Sequence, residues 1–265
     1  MIPPQKHMTG MLGHPVAENP IDRMFDAVYA HNGLNWQFWK NDIASEKDLA
    51  VVVPALQPLG YSGFAITVPY KVAAIPLLDE VDSDVKAIGA ANYVTIENGR
   101  LIGHNNDGKG VVKAIEKVVP LRGQNVVMLG AGGAGRAMAV EIAWAGAAKM
   151  TIVTRREEQG RGVAALVTKA SGIPCAWQAW QREVEVPTGT TLLMNATHLG
   201  LAVLVFHEDH LIAGFLTDIL LLRRAEPHRQ RAAGHIVVDI LIGHICSPSF
   251  MASSMRCFQK DLQLP

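Results

Sequence analysis

The sequence predicts an α/β protein built from two layered domains, and three observations support this prediction. The 265 residues are 49% hydrophobic and 18% charged, so the chain can bury a sizeable core. The first part alternates short apolar strands with helical segments, and the second part holds a strand, a glycine loop and a helix in succession. At about 150 residues per domain, a chain of this length accommodates two modest domains.

Charge and cysteine usage argue against several functional classes. Lys plus Arg number 24 and Asp plus Glu number 24, so no basic excess favours nucleic acid or an anionic membrane. Cys175, Cys246 and Cys257 form no CxxC pair, which favours a reducing compartment. We find no signal-peptide core and no run of about 20 apolar residues. We therefore expect a cytoplasmic monomer or homodimer whose partner is a small molecule.

Hydrophobic spacing predicts alternating strands and helices along the chain. In the first part we expect strands at 8–16, 36–43 and 63–68 and helices at 21–31, 46–59 and 71–78. In the second part we expect strands at 125–129, 150–153, 191–195 and 236–240 and a helix at 136–145. The later strands are short apolar runs without alternation, which is typical of a buried parallel sheet.

A glycine loop follows the strand at 125–129 directly. It matches GxGxxG with the residues Gly130, Ala131, Gly132, Gly133, Ala134 and Gly135. The glycines allow a tight turn and a close approach of the backbone to a pyrophosphate, while the following helix offers free N–H groups. No GK[ST] follows, so a P-loop is excluded. The loop therefore predicts a Rossmann unit that binds a dinucleotide.

The end of the next strand bears on the choice of cofactor. Thr154 stands where an acidic residue would bind the ribose hydroxyls of NAD, and Arg155 and Arg156 follow it. An arginine there can pair with the 2′-phosphate of NADP and stack on the adenine. We therefore expect a preference for NADP. NAD stays open as the alternative, because Glu157 and Glu158 could turn back to the ribose.

Two polar clusters in the first part are candidates for the chemistry, at 67–71 and 103–108. Oxidation of an alcohol by a nicotinamide needs a group that takes the hydroxyl proton. Lys71 at a strand-to-helix turn could do this if a carboxylate such as Asp107 held it. Each residue alone also has an ordinary structural explanation, Lys71 as a solvated helix start and Asp107 as a turn residue.

Six motifs in order make the chain resemble the shikimate/quinate dehydrogenase family. They are Gly13-x-Pro15-Val16, Thr67-x-Pro69-x-Lys71, Ala87-Ile88-Gly89-Ala90-x-Asn92, Gly103-x-Asn105-x-Asp107-x-x-Gly110, the loop 130–135 and Asn195-Ala196-Thr197-x-x-Gly200. They span about residues 10 to 200. The resemblance implies a substrate domain at 1–108 completed by 240–265, a Rossmann domain at 109–239, and an active cleft where the two meet.

The resemblance also implies an activity and the residues that carry it. The activity is interconversion of shikimate or quinate with its 3-dehydro ketone by hydride transfer, as in aromatic amino acid biosynthesis. Lys71 and Asp107 are similar to the family's catalytic pair, and Thr67 and Asn92 to residues that bind the substrate hydroxyls. On the cofactor side the matching residues are the loop 130–135, Thr154 and Arg155 for the adenosine phosphate, and Asn195, Thr197 and Gly200 near the nicotinamide.

The chain departs from the family where the substrate carboxylate would bind. Family members carry His-Ser-x-Ser-Pro, whereas this chain reads Glu18-Asn19-Pro20-Ile21-Asp22. Asn19 can still donate an amide hydrogen bond, but Ile21 cannot, and Glu18 or Asp22 would repel a carboxylate. The family also carries an asparagine two residues before the threonine of the lysine motif. This chain has Ala65 there, which removes another polar contact. Near the C-terminus, Met255 and Gln259 keep the spacing between a methionine and a glutamine that the family has in its last helix. Gln259 is a substrate-binding candidate on this spacing alone.

These departures leave two alternatives open. One is the same chemistry on a related ring with a different carboxylate arrangement, such as aminoshikimate. The other is a cofactor-binding sensor without activity, which the intact Lys71 and Asp107 oppose. No metal site is predicted, because the cluster at 207–210 lacks the HExxH spacing that places two histidines on one helical face.

Overall fold

A computed structural model describes residues 6–181 and 184–197, together with the backbone of short strands at 205–207, 210–212 and 222–224. The chain divides into two compact units, the first ending at Asn106 and the second beginning at Asp107. Both combine helices with parallel strands, so the predicted α/β class is confirmed. Among the helices of the described ranges, none is both long and apolar enough to cross a membrane.

The first unit holds six strands and three α-helices among its described residues. In chain order they are β1 (His7–Gly13), α1 (Ile21–His31), β2 (Trp36–Asp42), α2 (Glu46–Ala55), β3 (Tyr61–Ile66), β4 (Glu80–Val81), α3 (Ser83–Ile88), β5 (Tyr93–Glu97) and β6 (Arg100–His104). Helix α2 begins where the Ser45 side chain accepts a hydrogen bond from the Asp48 N–H at 3.2 Å. Helix α3 is followed by Gly89, which caps its end with a φ of +70° that suits glycine.

The sheet of the first unit brings several loops to one edge. Its strand order is β2-β1-β3-β5-β6-β4, with β1 parallel to β2 and β3. Strand β5 runs antiparallel to both β3 and β6. The chain leaving β1, β3 and β6 and the chain entering β5 therefore meet at the same edge.

Both faces of this sheet are covered by apolar side chains. Leu12 faces a core that includes Leu49 and Val53 of α2, and its neighbour Met11 faces the opposite side with Tyr29 of α1. This alternation follows from the two-residue period of a strand. Burial raises the pKa of Tyr29 to about 12, and its hydroxyl lies 2.6 Å from Thr9 Oγ1.

The helix predicted at 71–78 is wrong. The structure has turns there and a short 3₁₀ helix at Ile75–Leu77. Pro76 is the physical reason, because it lacks an N–H and its ring clashes with the carbonyl four residues earlier in an α-helix. The segment closes with shorter bonds instead, from Leu77 N–H to Ala74 O at 3.0 Å and from Leu78 N–H to Ile75 O at 3.2 Å.

The second unit contains a parallel sheet ordered β11-β7-β8-β9. Its elements are α4 (Asp107–Ile115), β7 (Asn125–Leu129), α5 (Gly133–Trp144), β8 (Lys149–Thr154), α6 (Glu157–Ser171), β9 (Cys175–Ala179), β10 (Val184–Val186), β11 (Leu192–Asn195), β12 (Val205–His207), β13 (His210–Ile212) and β14 (Leu222–Arg224). The strands predicted at 125–129, 150–153 and 191–195 are confirmed. The one at 236–240 lies outside the described residues.

The order of these strands defines a crevice. From β7 the chain moves to β8 and β9 on one side, whereas β11 pairs with the other side of β7. Ligands of open α/β sheets bind where the order reverses, beyond the carboxyl ends of the strands. That position is flanked by the loop after β7 and the loop after β11.

Candidate active site

The loops after β1 and β3 are joined at the edge of the first sheet. The His14 N–H donates to Val68 O at 2.9 Å, and the Thr67 N–H donates to Leu12 O at 2.9 Å. A Cβ on Gly13 would lie 2.2 Å from Thr67 Cγ2, so only glycine allows this approach. The two loops therefore form one continuous wall that carries Thr67.

The backbone on either side of the Lys71 side chain is anchored to the core. Lys71 O accepts the Ala91 N–H at 2.8 Å. The preceding residue, Tyr70, is 2% exposed and donates its hydroxyl to Ile43 O at 2.6 Å. Burial raises the pKa of Tyr70, so its hydroxyl remains a donor. The backbone of Lys71 is thus held in a fixed position at this edge of the sheet.

Asn92 enters the same edge and is tied to the end of β6. Its amide nitrogen donates to Asn106 Oδ1 at 2.6 Å, and its Oδ1 accepts the Asn106 N–H at 3.0 Å. The amide of Asn105, which is 2% exposed, donates to Ala90 O at 2.8 Å. These bonds fix the chain immediately before Asp107. Asp107 itself begins α4 and the second unit, whereas Lys71, Thr67 and Asn92 belong to the first.

His104, which lies in the predicted cluster at 103–108, supports this turn, a role that the sequence did not indicate. Its Nδ1 lies 3.1 Å from Asp82 Oδ2 and its Nε2 lies 3.0 Å from Thr95 Oγ1, while its ring stacks on Tyr93 at 4.7 Å. Asp82 also accepts the Val85 N–H at the start of α3 at 2.7 Å. The histidine therefore links α3, β5 and β6. Its partners are 9 and 22 residues away in sequence, so no local pattern reveals them.

The segment that departs from the family is organised by Lys40, which the sequence analysis also missed. The ammonium of Lys40 donates to Ala17 O at 2.8 Å and Asn19 O at 3.0 Å, and it lies 3.2 Å from Asp22 Oδ2. The side-chain oxygen of Asn19 accepts the Ile21 N–H at 3.1 Å. An ammonium has three donors, so these contacts use all of them.

Asp22 remains anionic in this setting. Burial opposes its ionisation, but the hydrogen bonds from Lys40 and the Arg23 backbone, with the positive charge of Lys40, outweigh it and lower its pKa below the ordinary 3.8. Nearby, His14 Nδ1 lies 2.5 Å from Asp42 Oδ1 and lowers the pKa of that carboxyl as well. The carboxylates of Asp22 and Asp42 are thus each already in contact with a nitrogen of a neighbouring side chain.

The glycine loop of the second unit has the geometry that a pyrophosphate requires. Gly130 has a φ of +99°, and a Cβ there would lie 2.9 Å from Ala196 O. Gly132, which precedes α5, faces open space, since a Cβ there meets nothing within 4 Å. The helix start has no side-chain cap. Free N–H groups beside an open glycine fit an anion, so the residues present suit a dinucleotide.

The loop after β11 lies against this turn. The Ala196 N–H donates to Leu129 O at 2.7 Å. Thr197 donates its N–H and its hydroxyl to Asn195 Oδ1 at 2.9 and 2.7 Å. The structure therefore brings Asn195 and Thr197 to the glycine loop. The other two candidates, Gly200 and Gln259, lie outside the described residues.

The candidate phosphate arginines follow β8. Arg155 and Arg156 are exposed, and Thr154 before them is 5% exposed. The Thr154 hydroxyl donates to Arg156 O at 2.8 Å. Two alternative ribose partners follow: Glu157 accepts Arg161 Nε through its Oε1 at 2.7 Å, and Glu158 is exposed.

Cys175 is a partly buried free thiol. Burial raises its pKa to about 12, so the reactive thiolate is not populated near neutral pH. It therefore acts as a small apolar side chain at the start of β9.

The first unit of the chain matches the model of a known protein family. Residues 11–94 match the shikimate dehydrogenase substrate binding domain. A shikimate dehydrogenase (NADP⁺) from Methanothermobacter thermautotrophicus is 30% identical over 201 residues, which cover 76% of this chain and 71% of that relative. Curated relatives of this name are matched over 55% to 74% of their own length.

Solved structures resemble the chain over a similar share. A ligand-free 5-ketofructose reductase from Gluconobacter sp. strain CHM43 is 41% identical with a TM-score of 0.67, covering 74% of this chain and 71% of that one. A shikimate 5-dehydrogenase from Thermus thermophilus, in complex with NADP(H) and shikimate, is 30% identical with a TM-score of 0.62, covering 74% and 70%.

Proposed function

Because the chain belongs to the shikimate dehydrogenase family, we propose that it is an NADP-dependent oxidoreductase of a small polyhydroxylated ring. The first candidate reaction interconverts shikimate and its 3-dehydro ketone. The proposal rests above all on the glycine cradle at Gly132, which leaves space for a pyrophosphate beside an uncapped helix. We place the substrate domain at 1–108 with 240–265 and the cofactor domain at 109–239.

The cofactor would be held by the second unit. The N–H groups of 132–135 bind the pyrophosphate, Arg155 and Arg156 pair with the 2′-phosphate, and Asn195, Thr197 and Gly200 flank the nicotinamide. When bound, NADP supplies the acceptor or donor of hydride. The pairing of Glu157 with Arg161 supports NADP over NAD, since that carboxylate already accepts a hydrogen bond from an arginine.

Lys71 is proposed to handle the proton of the reacting hydroxyl. Its ammonium stabilises the developing alkoxide and passes or accepts the proton, and Asp107 orients it. The anchoring of Tyr70 on Ile43 and of Lys71 O on Ala91 supports this role, because a fixed backbone limits where the ammonium can reach. The remaining hydroxyls of the substrate would bind Thr67 and Asn92, with Asn19 and Gln259 further out.

A second candidate is reduction of an uncharged keto-sugar by the same residues. The contacts around Asp22 favour it, because the side chain of Ile21 offers no hydrogen bond and Lys40, which is already paired with Asp22, has no donor left for a substrate carboxylate. The 41% identity to a 5-ketofructose reductase supports the same substrate class. Shikimate and 5-ketofructose differ in the carboxylate, so one assay separates the two candidates.

The test is nicotinamide absorbance with the purified chain. Shikimate and quinate are assayed for oxidation with NADP and with NAD, and 5-ketofructose for reduction with NADPH and NADH. Turnover of shikimate would support the first candidate, and turnover of 5-ketofructose alone would support the second. Cofactor binding without turnover of any substrate would contradict both and favour a sensor or a different ring, such as aminoshikimate.

A further inference from the structure

We propose that Trp177 is a positioning residue for the 2′-phosphate of NADP, acting through Thr154 on the turn that carries Arg155 and Arg156. The proposal rests on the proposed cofactor and adds the residue that orders its recognition. Trp177 lies on β9 and has no local motif in the sequence, so packing is its ordinary explanation. The contacts of its indole N–H point to a more specific role.

A relay of hydrogen bonds runs from Trp177 to the arginine turn. The indole N–H of Trp177 donates to Thr154 Oγ1 at 2.9 Å. The same hydroxyl donates to Arg156 O at 2.8 Å. A threonine hydroxyl can accept through a lone pair of its oxygen and donate its one hydrogen at the same time. Thr154 accepts the indole N–H and donates its hydrogen to Arg156 O. Arg156 O also accepts the Gly160 N–H, so the relay fixes Arg156, the residue that caps the start of α6.

The backbone on the other side of Thr154 is fixed as well. Thr154 O accepts the Trp180 N–H at 2.8 Å, and Val153 O accepts the Gly130 N–H at 2.9 Å. The turn is thus bound to the glycine loop on one side and to β9 on the other. Arg155 and Arg156 directly follow these anchors and are both exposed, so a phosphate can reach them.

Gly160 shows that the relay depends on close packing. A Cβ at Gly160 would lie 2.1 Å from Trp177 Cδ1, 2.4 Å from its Nε1 and 2.3 Å from Thr154 Oγ1. Gly160 lies inside α6, where glycine costs stability relative to alanine. Its absent side chain leaves the space through which the indole reaches the hydroxyl.

The Trp177 ring also contacts the residue that pairs with Glu157. The Arg161 guanidinium lies 4.7 Å from the centre of the Trp177 ring and pairs with Glu157 Oε1 through Nε at 2.7 Å. Trp177 therefore orders the two arginines of the turn and also supports the arginine that holds the competing carboxylate. Both effects favour a phosphate over a free ribose hydroxyl.

The experiment compares Trp177→Phe with Trp144→Phe by calorimetry. Trp144 is a matched control because its indole N–H also donates one hydrogen bond in the same unit, in this case to a backbone carbonyl, Ala170 O, at 2.9 Å. The ligands are NADP, NAD, adenosine 2′,5′-bisphosphate and 5′-AMP. For Trp177→Phe we expect the Kd of the two 2′-phosphorylated ligands to rise roughly threefold to tenfold, the scale of one lost hydrogen bond. NAD and 5′-AMP should change by less than about twofold.

Variants of Thr154 test the same hydrogen bonds without changing the tryptophan. Thr154→Val keeps the volume and removes the hydroxyl, and it should raise the Kd of the two 2′-phosphorylated ligands selectively. Thr154→Ser keeps the hydroxyl and should bind them like the unaltered chain. Equal weakening of all four ligands, or no change in NADP affinity, would overturn the role of Trp177. Failure of the unaltered chain to bind NADP would instead overturn the proposed function and this inference together.

Discussion

Lys40 and Asp22 form an ion pair that organises the segment beside the Lys71 loop. Lys40 Nζ lies 3.2 Å from Asp22 Oδ2 and also holds Ala17 O and Asn19 O. The ammonium therefore stabilises the turn into α1 and balances the carboxylate at the same time. The pair has consequences for both stability and substrate choice.

The pair should make stability depend on pH in the acid range. The pKa of Asp22 is lowered below 3.8 in the folded protein, so its contribution is fully present above 3.8 and is lost as pH falls through the lower folded value. We expect Asp22→Asn to be less stable than the unaltered chain at neutral pH by at most about 1 kcal/mol. Urea unfolding between neutral and acidic pH should show this difference shrinking as pH falls.

Asp26→Asn is a suitable control, because Asp26 is exposed on the same helix. It should leave the urea midpoint nearly unchanged throughout. A difference between Asp22→Asn and the unaltered chain that grew on acidification would contradict the ion pair.

The same segment should decide between a carboxylated and an uncharged substrate. We expect the double variant Ile21→Ser, Asp22→Asn to raise kcat/KM for shikimate, because it adds a hydroxyl donor and removes a repelling charge. A hydrogen bond to a charged group corresponds to roughly tenfold or more in kcat/KM. Steady-state kinetics with shikimate and with 5-ketofructose measure the change, and Asp26→Asn again serves as the control. A parallel gain for both substrates would argue against charge selection.

Removal of the Lys71 ammonium should abolish turnover. We expect Lys71→Ala to lower kcat by roughly 10² to 10⁴, the usual contribution of a positioned acid–base group, while NADP affinity stays nearly intact. The measurement pairs absorbance assays with calorimetry of NADP. Lys169→Ala, at an exposed position of α6, should behave like the unaltered chain. Unchanged turnover in Lys71→Ala would remove this lysine from the mechanism.

Two glycines of the cofactor loop should respond differently to a side chain. Gly132→Val should fold normally, since a Cβ there enters open space, but should block the pyrophosphate and lose NADP binding. Gly130→Ala should instead destabilise the protein by about 1–3 kcal/mol, because φ is +99° and Ala196 O is 2.9 Å away. Thermal unfolding and NADP calorimetry on both variants separate the effects. Full NADP affinity in Gly132→Val would refute the cradle.

The sequence pattern predicted those elements that depend on interactions between neighbouring residues. Strand β7 and helix α1 have the predicted bounds, because the spacing of apolar residues indicates both a buried strand and an amphipathic helix. The glycine loop was also predictable, since a turn with positive φ beside a helix start demands glycine. The helix expected at 71–78 failed because Pro76 outweighed the apolar spacing.

The sequence by itself determined the α/β class, the order of the motifs and the chemistry that those motifs could support. Only the tertiary structure decided which polar groups remain available, because hydrogen bonds between distant residues consume some of them. Lys40 meets Asn19 across 21 residues, and Trp177 meets Thr154 across 23. Such pairings depend on strands and helices packing together, and the burial that results makes each donor and acceptor take a partner.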